Sequence, residues 1–132
     1  MRKFVFIAAV AALLAAPAAQ ARQPADGEAK LAKILKGRVA GEPVSCINTL
    51  NTRSTRIIDK TAIVYDAGSV IYVNRPHHPE SLDDDDVMVT RLTGSQLCNV
   101  DVVQLRDRTT GFYAGFVGLD RFVPYRRVAR AN

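Results

Sequence analysis

RIIDKTAIVYDAGSVIYVN, residues 56–74, holds three short runs of β-branched and aromatic residues, at 56–59, 61–65 and 70–74. Such side chains suit a pleated, half-buried surface, and runs of this length bounded by Asp, Gly and Ser read as strands. The second and third runs flank Asp66-Ala67-Gly68-Ser69. There Gly68 can supply the positive φ that a hairpin turn needs. The stretch therefore predicts antiparallel strands joined by short turns, and no helical period interrupts it.

The same pattern continues on both sides. VSCI at 44–47 predicts an earlier strand, VMVTRL at 87–92 a later one, and Gly94-Ser95 a turn. LCNVDVVQLRD at 97–107 and FYAGFV at 112–117, joined through Thr109-Thr110-Gly111, read as a second hairpin. In the first of these, Cys98, Val100 and Val102 alternate with Asp101, Val103 and Leu105, so both faces are partly apolar and the strand is expected to be central. Tyr65, Tyr72, Phe112, Tyr113 and Phe116 fall in these strands and are expected in the core. Upstream, Asp26 can cap a short helix over 27–36. Leu31, Ile34 and Leu35 share one face of it, Lys30, Lys33 and Lys36 lie on the other, and Gly37 is placed to end it. The apolar face is expected to dock on the protein's own sheet and not on a membrane. The fold class is thus mainly β (α+β): a small antiparallel sheet, barrel or sandwich of about six strands with one short N-terminal helix.

The organisation along the chain is equally legible. Arg2 and Lys3 precede an apolar run at 4–16 and a small-residue exit at Ala19-Gln20-Ala21, so residues 1–21 are expected to be a cleaved secretory signal peptide. The apolar run is too short to span a bilayer comfortably. Residues 22–43 then form a flexible N-terminus and the amphipathic helix, and 44–132 a single β-rich domain. No later stretch approaches transmembrane length, so no transmembrane segment is expected after processing. Loss of Arg2 and Lys3 lowers the formal net charge from +5 to +3, which permits contact with an anionic envelope component without requiring it. Export places the protein in the periplasm of a Gram-negative cell, or outside other cells. Disulfides persist there, and Cys46 and Cys98 are expected to form a structural bridge. No C-x-x-C motif suggests redox work instead.

Three clusters are candidates for chemistry. NRPHHPESLDDDDV at 74–87 offers His77 and His78 with Asp83, Asp84, Asp85 and Asp86 as possible metal ligands. Adjacent residues of an extended chain point opposite ways, so the two histidines, held between prolines, do not easily share an ion. The aspartates lack the glycine and distant glutamate of an EF-hand loop. Ser81-Leu82-Asp83-Asp84 has instead the spacing of a capping box and predicts one helical turn or a solvated loop. For hydrolysis, His77 or His78 could act as a base, but G-x-S-x-G and H-E-x-x-H are absent. At the C-terminus Arg121, Arg126, Arg127 and Arg130 could bind anions beside Phe122 and Tyr125. They are too few for strong nucleic-acid affinity, so the expectation is an aromatic anchor with a solvated basic tail.

The leader, CIN at Cys46, RIIDKTAIVYDAGSVIYVNRP, GSQLC at Cys98 and the RFVPYR ending together resemble the small exported proteins of unknown function found in proteobacteria. The resemblance covers most of the mature chain and implies a periplasmic, disulfide-containing, mostly β domain. It transfers no active-site residue. The expected function is non-catalytic binding or structural interaction with an envelope protein or anionic envelope component, without a cofactor and without nucleic acid. The alternatives are divalent-cation binding through Asp83 to Asp86 and a small periplasmic hydrolase using His77 or His78.

Overall fold

A computed structural model describes residues 24–129; the leader expected at 1–21 and Arg130 lie outside the described residues. The described residues are mainly β, with one helix, α1 (Pro24–Ile34), and ten strands. These are β1 (Arg38–Ala40), β2 (Cys46–Asn48), β3 (Ser54–Ile58), β4 (Ala62–Asp66) and β5 (Val70–Asn74), then β6 (Asp86–Val89), β7 (Gln96–Cys98), β8 (Val102–Asp107), β9 (Tyr113–Gly118) and β10 (Phe122–Arg127). They form a five-stranded sheet in the order β1-β10-β5-β4-β3, a ribbon β2-β7 and a three-stranded sheet β6-β8-β9. Every pairing is antiparallel, and the sheets do not close into a barrel.

Strand β4 shows why the layers stack. Its alternate residues Ala62 and Val64 join Leu31 of α1 with Ile58, Ile71 and Val73 in one core, while Ile63 and Tyr65 join Leu82, Leu97, Val103, Leu105, Val117 and Phe122 in a second. Period-two alternation sends successive side chains to opposite faces, so the five-stranded sheet is covered by the helix on one side and by the smaller sheets on the other. The rings of Tyr65 and Phe122 meet edge to face at 5.7 Å. Buried Asn74 accepts from the Asp120 N–H and donates to its carbonyl, which seats the β9–β10 connection without leaving a polar atom unpaired.

Both predicted hairpins form, with Gly68 at φ 85° in the first turn and Gly111 at φ 73° in the second. The bridge Cys46–Cys98 forms between directly opposed residues of β2 and β7. Helix α1 starts at Pro24, ahead of the expected Asp26 cap, because proline is well suited to a first turn. Gly37, at φ 76°, follows its end as expected.

The seven runs read as strands, where a sheet of about six was expected, become ten: β1 (Arg38–Ala40) adds one within the segment expected to hold only a flexible N-terminus and the helix, and two more arise as follows. The run at 97–107 is split, because the Asp101 carboxylate accepts the Cys98 N–H at 2.7 Å and turns the chain at Asn99-Val100. Val100 therefore stands exposed, and β8 is central only within its own small sheet. The C-terminal RFVPYR, expected to be an anchor and tail, is instead β10, an interior strand between β1 and β5. Pro124 is tolerated there. Its carbonyl accepts from Gly41, the ladder resumes at Val44 with Phe122, and the missing N–H falls opposite the break at Glu42-Pro43.

Candidate functional site

The acidic loop is not the helical turn that its spacing suggests. The turn of 3-10 helix lies earlier, at Pro79–Ser81, and Asp83 opens a tight turn in which the Asp86 N–H donates to its carbonyl and the Asp85 N–H to its Oδ1. An aspartate closing a turn on its own backbone offers a local bond that competes with the helix. Leu82, wholly buried, plugs the larger core, and its carbonyl accepts from the Lys60 N–H at 3.0 Å. That bond holds the aspartates against the β3–β4 turn. As a result, carboxylate oxygens of Asp83 and Asp84 and one of buried Asp59 lie within 4.8 Å of one another. Asp84 also meets Lys30 of α1 at 3.3 Å.

Asp85 and Asp86 are outside this group. Asp86 faces Asp107 across β6 and β8. Burial, followed by the charges of Asp83, Asp107 and Asp85, holds its carboxyl above the usual carboxylate range. Asp107 is shifted the other way, held low chiefly by the Thr110 N–H. Between the edge strands β3 and β6 runs an open cavity of about 860 Å³, with Lys30, Lys33, Arg56 and Arg108 facing Asp84 and Asp86.

Both histidines are exposed and neither joins the carboxylates. His78 sits in the left-handed region at φ 60°, and its Nδ1 meets Glu80 Oε1 at 3.1 Å. The His77 main chain donates to Gly118. A general base needs its nucleophile within hydrogen-bond reach, and among the described residues neither ring is bonded to a hydroxyl. The arginines are dispersed as well. Arg126 and Arg127 are neighbours on β10 and project from opposite faces, while Arg121 lies in the preceding connection.

The three-stranded sheet overturns one expectation about the aromatics. Tyr65 is buried and Tyr72 partly so, but Phe112, Tyr113 and Phe116 are 74%, 58% and 61% exposed. The register explains it. Leu105 pairs with Gly115 but Arg106 with Tyr113, so a bulge leaves Ala114 unmatched. An extra residue shifts the phase of the strand, and Tyr113 and Phe116, an odd and an even position, both turn outward. Gly115, at φ 130°, takes the backbone shape that the bulge requires. The outer face then has rows Val87–Arg106–Tyr113 and Val89–Gln104–Phe116, with Val102 opposite Gly118. All three valines are exposed.

Comparison of the chain with known protein families, curated proteins and solved structures finds no match. Two features stay hidden at the level of sequence. Asp59 lies 24 positions from Asp83, and the aromatic face depends on a bulge that only Gly115, beside a small Ala114, hints at.

Proposed function

We propose that the protein is an exported, non-catalytic binding protein of the cell envelope that docks a protein segment on the outer face of β6, β8 and β9. The observation that carries this reading is the row of exposed Val87, Val89, Val102, Tyr113 and Phe116 on one sheet face. Exposed apolar side chains gathered on one sheet face, here on either side of a polar centre, mark interaction sites, and aromatics are enriched where partners bind. The polar centre of the face, Gln104 and Arg106, favours a partner that brings hydrogen-bond acceptors and a carboxylate among its apolar side chains. A bilayer would desolvate those two groups without pairing them, and exposed Asp85 just ahead of β6 repels an anionic surface. Export is supported by the apolar leader with its Ala19-Gln20-Ala21 exit and by the Cys46–Cys98 bridge, which suits an oxidising compartment. No helix among the described residues is long and apolar enough to cross a membrane.

The test places a photo-cross-linking side chain at 116 and, as a control, at exposed Leu50 in the intact envelope. A protein adduct at 116, absent at 50 and lost in Arg106→Glu with an unchanged melting temperature, supports the reading. Adducts that are alike at both positions, survive Arg106→Glu or contain only lipid refute it.

A further inference from the structure

We infer that the slot between β3 and β6 takes an extended partner strand in which apolar residues alternate with acidic ones. This strand-addition site is distinct from the docking face on β6, β8 and β9 and does not rest on that reading. Strand β3 ends the five-stranded sheet and β6 ends the three-stranded one. Both border the same open cavity of about 860 Å³, to which consecutive residues contribute, 55–58 of β3 and 86–88 of β6. A strand that turned one face to a cavity would contribute alternate residues only. Consecutive residues mean that both strands present their edges, with backbone N–H and C=O groups that no described strand pairs.

Such an edge is a template for an added strand, whose main chain supplies the bonds while its alternate side chains give specificity. Neither β3 nor β6 holds a proline that would guard it. Period two then fixes what the added strand carries. Ile57 belongs to the larger core and Met88 packs on it, whereas Arg56 shares the face of Ile58, which packs with Leu31 of α1. One row of added side chains therefore meets Ile57 and Met88 and has to be apolar. Asp86 lies on that inner row with Met88 and disfavours a carboxylate there.

The other row faces Arg56 and Lys33, exposed cations with no ion pair or side-chain hydrogen bond among the described residues. The remaining cations at the cavity are engaged, Lys30 with the Asp84 carboxylate at 3.3 Å and Arg108 with the Asp85 carbonyl at 3.4 Å. The unanswered charge beside β3 is therefore positive, and opposite charges on neighbouring strands attract. An acidic row fits it. A second copy of this chain is a poorer occupant, because antiparallel pairing of two β3 strands centred on Arg56 sets like charges opposite each other.

The experiment offers the oxidised protein capped peptides: Val-Glu-Val-Glu-Val, Val-Lys-Val-Lys-Val, and the glutamate peptide with its valine nitrogens methylated, which removes the donors of one edge and keeps the side chains. Fluorescence anisotropy reads affinity and amide hydrogen exchange reads location. The glutamate peptide should bind saturably and slow exchange at the edges of β3 and β6, and the other peptides should bind at least about fivefold more weakly. Arg56→Glu, an exposed change that should leave the melting temperature unaltered, should reverse the preference to the lysine peptide. Phe116→Ala, on the docking face, should leave the affinity unchanged, so that failure of one surface is distinguishable from failure of the other. The proposal is overturned by no saturable binding up to about 1 mM, by equal affinity for the lysine or the methylated peptide, or by an unaltered preference in Arg56→Glu. Slowed exchange on the docking face alone, or a native dimer whose β3 amides are already protected, would overturn it too.

Discussion

Leu82→Ala should be the most damaging single truncation of the loop that carries the aspartates. The side chain is 0% exposed and belongs to the core formed by Ile47, Ile57, Ile63, Tyr65, Leu97, Val103, Leu105, Val117, Leu119 and Phe122. Its walls come from all three sheets, which are cross-braced by ladders and by the Cys46–Cys98 bridge, so they cannot collapse far into the space left behind. Leucine-to-alanine changes at such sites cost about 3–5 kcal/mol, the upper values where relaxation is least. A domain of this size has only about 5–15 kcal/mol in all. At about 4 °C per kcal/mol the melting temperature should fall by roughly 12–20 °C. Urea unfolding measures the loss directly: with m about 1.5 kcal/mol/M, the midpoint should drop by about 2–3 M with m unchanged. Leu50→Ala, at an 81% exposed position, is the control and should stay within about 0.5 kcal/mol. A loss under about 1 kcal/mol for Leu82→Ala would refute the claim that this residue seats the acidic loop in the core.

Three further outcomes follow from the packing. Gly27→Ala, which in an ordinary helix adds about 1 kcal/mol of stability, should here destabilise by about 1–3 kcal/mol. A Cβ at 27 would sit 2.7 Å from the Asp59 carbonyl and overlap the Thr61 hydroxyl, so a urea midpoint at or above that of the native protein contradicts the helix position. Cys46→Ala should cost about 4 kcal/mol on the chain-entropy account of a bridge spanning 52 positions, and unfolding curves indistinguishable from the native protein would contradict it. Tyr65 is held above its ordinary pKa by burial. The unfolded chain therefore ionises first, and this contribution to stability, complete below about pH 10, falls as pH rises further. Tyr65→Phe should lose less stability between about pH 8 and pH 11 than the native protein, and equal alkaline losses count against the burial.

The readable parts of the fold were those where local chemistry and tertiary packing agree. The hairpin at 62–74 combines strand formers with a glycine at the one position that needs positive φ, and its last strand, Val70–Asn74, coincides with the run read from the sequence. Strand β10 was hidden because Pro124 argues locally against an interior strand. The contrary information, that the neighbouring chain leaves the ladder opposite it, resides in the distant Glu42-Pro43. The split at Asn99-Val100 was hidden for a similar reason. Alternating apolar residues run through it, and the Asp101 carboxylate that turns the chain looks in sequence like one more outward-facing polar residue.

The candidate surfaces divide along the same line. Asp83 and Asp84 are legible in their own run, but the third carboxylate grouped with them, that of Asp59, comes from a hairpin turn brought alongside by one main-chain bond to Leu82. The aromatic face needed more than alternation. With the Val117 side chain buried, simple period two sends Tyr113 inward. The unmatched Ala114 reverses that phase, so one extra residue turns an expected core side chain into exposed surface beside Arg106. Gly115→Val, which cannot hold φ 130° without strain, should therefore straighten the ladder, place Ala114 opposite Arg106 and turn Tyr113 inward without touching β6 or β8. Its signature is a loss of solvent exposure of Tyr113 in oxidation footprinting while Val87 and Val89 keep theirs. Unchanged exposure of Tyr113 would mean that the phase is set by something other than the bulge.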